Sequence, residues 1–302
     1  MFQRYLNRHS RVGKWIIAAD FALHDKTRPM DCFAFTILPY DAWPAVIRED
    51  VAKALPRDLK ESKALTERGI EWLRDPRQGF HVVITVEQKR PLFTNSAGTD
   101  PRAIAREHVR QTIATAKTLG LGSDTITRLK KLHAKTQARQ FNVKLLEDVY
   151  LLSGWFAALT VILGRARSCE CLGWFPDRDS MTVWCDGIWQ DFVFLNVHVL
   201  APALAVDMRN TKLVIGAPDR SGDQEIMWYD YMIRASDWFA GAVAAWDRPS
   251  NRVPDKHQKY KQMVEDVLAD SENTVILHFE FAKGYAQGRR IVVESRPGQS
   301  TN

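Results

Sequence analysis

Three aspartates stand where this chain is otherwise apolar. Lys14-Trp15-Ile16-Ile17-Ala18-Ala19 ends on Asp20, Met181-Thr182-Val183-Trp184-Cys185 ends on Asp186, and Asp237 lies within Met232-Ile233-Arg234-Ala235-Ser236-Asp237-Trp238-Phe239-Ala240-Gly241. A carboxylate in such surroundings is costly unless a cation, a basic partner or strong hydrogen bonds compensate its charge. Compensation by a divalent metal is the form that would give these residues chemistry. Hard oxygen donors converging from different elements suit Mg2+ or Mn2+. Two such ions can assist the attacking water and the leaving oxygen of a phosphodiester. Asp20, Asp186 and Asp237 are therefore the candidate metal ligands, and Glu61 is a fourth candidate catalytic carboxylate, one turn into an early helix. The competing structural role is ordinary: an acid at a strand end is often a turn former or helix cap, and Asp186-Gly187 reads as a turn pair.

The elements that must position these acids follow from apolar patterning. Residues 14–20, 32–38, 80–86, 181–186 and 212–217 read as strands, with 14–20 and 32–38 an adjacent antiparallel pair across the turn-like His24-Asp25-Lys26-Thr27-Arg28-Pro29. Convergence on one cation requires 14–20 to lie beside 181–186. Residues 42–55 read as a helix ended by Pro56, a second helix opens near Asp58, and others cover 192–206 and 224–246. The stretch 101–164 is helical throughout, broken at Gly120-Leu121-Gly122-Ser123-Asp124; Val143, Leu146, Val149, Leu152, Phe156 and Leu159 form its buried face. The tail, 274–281 and 290–293, reads as a hairpin around Gly284 and Gly288.

This order of strands and helices, with acids on the first strand, a later central strand and the last helix, resembles the ribonuclease H-like superfamily. More narrowly it resembles a bacterial and phage family of unknown function numbered 3800. That family has an Asp-Glu pair ending the first strand, a Lys-Ser segment beginning an early helix, an Asp ending a mid-chain strand, and Gln-x-x-Asp before a small-residue helix. Asp20, Lys60 to Lys63, Asp186, and Arg234-Ala235-Ser236-Asp237 with Phe239-Ala240-Gly241-Ala242 match these elements over positions 14–247. Glu61-Ser62-Lys63-Ala64-Leu65-Thr66 is also similar to the Asp-Ser-Lys-x-Leu-Thr stretch of type 2 ribonuclease H. Phe21 replaces the second acid of the first pair and Arg234 replaces the Gln.

The resemblance implies an α/β fold: a ribonuclease H-like mixed five-stranded sheet with flanking helices and a helical insertion. Residues 1–100 and 165–250 would form the two parts of the domain, 101–164 the insertion and 251–302 a C-terminal extension. It implies a Mg2+- or Mn2+-dependent nuclease, with a role in defence against mobile elements by analogy, in which Lys60 or Lys63 contacts phosphate. Its rival is a non-catalytic subunit of a larger complex that binds nucleic acid or a partner protein, with Arg234 neutralising Asp237. A hydrolase of small phosphorylated substrates is a third reading, for which a closed, less basic pocket is expected.

Composition bounds these readings. Hydrophobic content of 45% and charged content of 26% over 302 residues are those of a folded globular chain. A formal charge of +6 permits a polyanionic partner such as nucleic acid. Arg128, Lys131, Lys135 and Arg139 recur at helical spacing and are the candidate phosphate contacts of the inserted segment, unless they form only a solvated face. The four cysteines have no disulfide-framework spacing, Cys169-Glu170-Cys171 lacks partners for zinc, and Gly120-Leu121-Gly122 lacks the strand and Lys-Ser or Lys-Thr of a nucleotide loop. No signal-peptide core opens the chain, and Lys144, Glu147 and Asp148 interrupt the longest apolar run, so a cytoplasmic protein with no membrane segment is expected.

Overall fold

A computed structural model describes residues 1–41, 44–56, 59, 62–90, 92–94, 98–216, 227–254, 258–282 and 285–295. Its centre is a mixed seven-stranded sheet in the order β5-β4-β1-β2-β3-β6-β7. The strands are β1 (Lys14–Ala22), β2 (Asp31–Pro39), β3 (Phe80–Val86), β4 (Cys171–Pro176), β5 (Lys212–Ile215), β6 (Thr274–Ala282) and β7 (Tyr285–Ile291). β1, β2 and β3 are antiparallel neighbours. β4 joins β1, and β5 joins β4, in parallel. β6 runs parallel to β3 and turns back as β7. β1, β3, β4 and β6 thus point the same way and end at the same edge of the sheet.

The central strands are continuous apolar runs because both faces are covered. Alternation sends Trp15, Ile17, Ala19, Phe33, Phe35 and Ile37 to one core and Ile16, Ala18, Cys32, Ala34 and Leu38 to the other. The first core is covered by α1 (Phe2–Arg8), α4 (Pro101–Thr118), α5 (Ser123–Lys135), α6 (Val143–Ala166) and α8 (Ile188–Ala203). The second is covered by α2 (Pro44–Ala54), α3 (Glu67–Arg74), α9 (Asp230–Ala245), α10 (Gln258–Gln262) and the π turn Met263–Leu268. With the short α7 (Ser180–Val183) there are ten α-helices among the described residues.

α6 packs on α8 and buries Leu146, Val149, Leu152, Phe156 and Leu159, as their spacing predicts, with Val143 partly buried. It is the one described helix long and apolar enough to cross a membrane by length and composition, yet these residues belong to the sheet's own core.

The expected strand at 181–186 is a correction. Asp179 forms a reciprocal capping box with Thr182 and starts α7, and a 3-10 turn follows over Trp184–Asp186. Cys185, Asp186 and Gly187 all have positive φ (48°, 63° and 73°), which ends any extended run. The neighbour of β1 is β4 instead, so the expected pairing of 14–20 with 181–186 does not exist. β4 is hidden in the sequence by Gly173 and Pro176, residues that ordinarily argue against a strand interior. Gly173 is required there, because a Cβ would meet the Phe175 ring at 2.4 Å. Among the described residues the early second helix begins at Glu67, capped by Thr66; Asp58, where its start was expected, lies outside them. The tail hairpin turns between β6 and β7, so Gly288 is a strand residue.

Candidate active site

Strand alternation decides where Asp20 points. It shares the parity of Ile16 and Ala18 and faces α9, while Phe21 turns to the opposite core and packs edge-on against Phe33 at 5.8 Å. An acid at position 21 would therefore point away from Asp20, and Phe21 is not a lost partner of the same cavity.

α9 lies close to the sheet because its inner face is built from small residues, Ala235, Ser236, Ala240 and Ala244. The Ser236 hydroxyl reaches the Ala18 carbonyl (3.2 Å) and Thr36 Oγ1 (3.0 Å), which fixes the helix against β1 and β2 two residues before Asp20. Asp237 then stands over the end of β1. Ile233, Asp237, Ala240 and Gly241 follow one another at helical spacing along the cavity wall.

The third acid is Asp177, which sequence reasoning missed. Its amide donates to the Ala19 carbonyl at 2.8 Å, continuing the β1–β4 pairing one residue beyond Pro176 and bringing its carboxylate beside Asp20. Asp20, Asp177 and Asp237 line one cavity of about 510 Å³ with Asp25, Asp179, Asp230, Arg28, Arg178, Arg234 and Tyr260. Six aspartates face three arginines. Arg178 is paired with Asp230 at 2.8 Å and Arg28 with Asp25 at 3.0 Å.

Burial holds the Asp20 carboxyl well above its ordinary range, and repulsion from Asp237 and Asp177 adds to it. The Phe21 amide, donating to Asp20 Oδ1 at 2.6 Å, works in the other direction. Asp237 is raised by burial and by Asp177, against Lys259 and Arg28. Asp177 is raised by burial, and Asp179 adds to that. The charges of Asp20 and Asp237 are felt across the same cavity, so ionising one raises the cost of ionising the other. Tyr260 closes the rim: its ring lies on Gly241, and its hydroxyl, raised by burial, interacts with Arg28.

The other candidate residues fall elsewhere. Asp186 is exposed in the 3-10 turn, where its charge acts on Arg128 and Cys185 beside α5, on the far side of the sheet from Asp20. Lys60 and Glu61 lie outside the described residues, as do Asp219 and Asp223. Lys63 is exposed and is not among the cavity's lining residues.

The basic stripe lies on α5 and just beyond it. Arg128 makes a bidentate pair with the buried Asp191, at 2.6 Å for each of its two bonds. Lys135 reaches Cys185 Sγ at 3.6 Å, Lys131 is exposed, and Arg139 lies beyond the end of α5. α5 packs into the core opposite α9, with the sheet between it and the acids, so its cations cannot lead into that cavity. Trp174 and Trp189 are fully buried. Arg234 donates to the Leu55 carbonyl at 2.8 Å and lies over the Tyr231 ring at 4.3 Å.

The donor chemistry fits a hard cation: carboxylate oxygens from two strand ends and one helix, partly open to solvent. Asp20, Asp177 and Asp237 would hold it. Among the described residues no three His, Cys, Asp or Glu side chains are already drawn into a cation cage. Compared with known proteins, the chain matches no family model, no curated protein and no solved structure.

Proposed function

We propose that this chain is a divalent-metal-dependent hydrolase of phosphodiesters, with Asp20, Asp177 and Asp237 as its ligand set and Mg2+ or Mn2+ as its cofactor. The observation that carries this is the convergence of three carboxylates, all raised by burial, at one strand edge under one helix. Clustered buried acids are costly in a fold unless the cluster serves a function. The order β5-β4-β1-β2-β3, with two parallel pairings on one side of β1, two antiparallel pairings on the other and a last helix bearing Asp237, supports a ribonuclease H-like reading of that part of the sheet. β6 and β7 extend it.

When bound, the cation supplies charge that stabilises the attacking and leaving oxygens. The protein's own contribution is to orient and to hold protons. Asp20, Asp177 and Asp237 would hold the cation as carboxylates, its charge offsetting the burial that otherwise favours their protonated forms. Asp177 stands on the neighbouring strand, across from the helix. In the overall reaction water adds to phosphorus, one P–O ester bond breaks, and the leaving oxygen takes a proton.

The test is hydrolysis of single- and double-stranded DNA and RNA by the purified full chain with Mg2+ or Mn2+, alongside direct Mn2+ binding. Asp20→Asn and Asp177→Asn are each expected to lower the rate by 100-fold or more, on the order of the several kcal/mol that one charge-stabilising group supplies. Asp186→Asn should leave it unchanged. Absence of both cation binding and hydrolysis would overturn the proposal in favour of a non-catalytic nucleic-acid- or protein-binding role.

A further inference from the structure

A second cavity, of about 460 Å³, opens on the α9 side of the sheet, between β7 and the segment that follows α9. It is lined by Arg248, Arg289, Asn251, Ile291, Val292 and Glu294, among others. Register connects it to the acidic cavity. Ala22, Cys32, Thr85, His278 and Arg289 are direct cross-strand partners through β1, β2, β3, β6 and β7. Direct partners point to the same face, here the face of Asp20.

Cations lie along this row. The charges of Arg28 and Arg248 both act on the buried Cys32 thiol, so both guanidiniums lie near this row. Arg28 lines the acidic cavity, Arg248 and Arg289 the second one. Arg28 and Arg289 have carboxylate partners, Asp25 and Glu280. Arg248 has none among the described residues: it donates to His278 Nδ1 at 3.1 Å. It is half-buried, Arg289 repels it, and Glu280, which pairs with Arg289, attracts it, so one carboxylate serves two guanidiniums. A phosphate oxygen is the chemistry that such a paired-arginine wall receives.

We infer that Arg28, Arg248 and Arg289 form a phosphate track for a nucleic-acid strand, leading from the acidic cavity to the second one. At about 4.8 Å per strand, β1 to β7 spans roughly 19 Å, which fits several phosphates of a polymer and exceeds a single mononucleotide. Ile291, on the same strand face as Arg289, adds an apolar surface to this cavity. The inference rests on the reading of the three aspartates as a hydrolytic centre, and it names that centre's substrate as polymeric.

The experiment is binding of a fluorescein-labelled oligothymidylate by the full chain in EDTA, across a salt series, so that no hydrolysis intervenes. Arg248→Gln is expected to weaken binding about 10-fold and to flatten the slope of log K against log salt by about 0.7, one phosphate contact on a single strand. Arg289→Gln should flatten it in the same direction. Arg248→Lys, which keeps the charge, should restore the slope, and thermal melting checks that each variant is folded. Unchanged affinity and slope in both Gln variants would overturn the track, as would thymidine monophosphate competing as well as the oligonucleotide. Arg248-dependent binding without hydrolysis under any divalent cation would sink the hydrolytic centre and leave the track standing. Hydrolysis of a small phosphodiester with no oligonucleotide binding would do the reverse.

Discussion

Burial holds the Asp20 and Asp237 carboxyls above the ordinary carboxylate range, and the neighbouring Asp177 adds to the shift of each. Their folded pKa values lie above the ordinary 3.8, so between that value and the raised ones the folded chain binds protons the unfolded chain has lost. The pair's contribution to stability is thus fully present below the ordinary carboxylate range and is lost as pH rises through the raised values. Denaturant unfolding without divalent cation should show it as a difference. Relative to the wild type, Asp237→Asn should gain stability as pH rises from about 4 to 8, by about 1.4 kcal/mol for each unit of raised pKa. Mg2+ or Mn2+ should restore the wild type at neutral pH, since a ligand of the native state stabilises it. A difference that does not change with pH would mean the two carboxyls are not coupled. Asp20 and Asp237 were legible in the sequence because an acid among apolar residues is conspicuous. Asp177 was not, since Gly173 and Pro176 disguise β4 as loop. The available signal was Asp177-Arg178-Asp179 directly after the buried Trp174-Phe175.

At the scale of elements, the helix patterns were readable and their faces only partly so. Leu129 and Leu132 make α5 amphipathic, but that spacing cannot say which side of the sheet the helix will cover, and the choice removes its cations from the acidic cavity. Glu147 and Asp148 similarly read as interruptions of α6. Asp148 in fact joins Asp31 around Arg90, all three buried, with His24 closing the group at 2.6 Å from Asp148, which ties the β1–β2 connection to α6. α9 depends on close approach in the same way. A Cβ on Gly241 would meet the Tyr260 hydroxyl oxygen at 2.5 Å and its Cζ at 2.7 Å, and the ring is held between α9 and α10. Gly241→Ala should cost about 1–3 kcal/mol by overpacking, despite alanine's better helix propensity. It should also move the Tyr260 hydroxyl from the rim of the acidic cavity, lowering Mn2+ affinity or turnover. Equal stability of the variant in denaturant unfolding would show that the ring yields without cost.

For the whole molecule, the central surprise is the tail. Residues 274–291 read as a separate hairpin, yet β6 pairs with β3 along His81 to Val86 and makes β3 an interior strand. The sequence holds little sign of this, because a parallel partner nearly two hundred residues away leaves no local trace. Its physical signature is burial: His81, Val83 and Val86 are fully inaccessible, Met263 and Val267 fill the second core, and Asn273 donates 3.0 Å bonds to the carbonyls of Leu73 and Gly79. Cutting the chain after Pro254 would strip β3 of one full row of ladder hydrogen bonds and open both cores at that edge. Each unpaired buried backbone group costs on the order of 1–3 kcal/mol, and a domain has only about 5–15 kcal/mol in reserve. The truncated chain should therefore fail to fold cooperatively, giving no sigmoidal urea transition and early amide exchange in β1 and β2 as well as in β3. A truncated chain that unfolds in one sharp transition, with β1 and β2 still protected, would show instead that the acidic cavity and its sheet stand without the strands that carry Arg289.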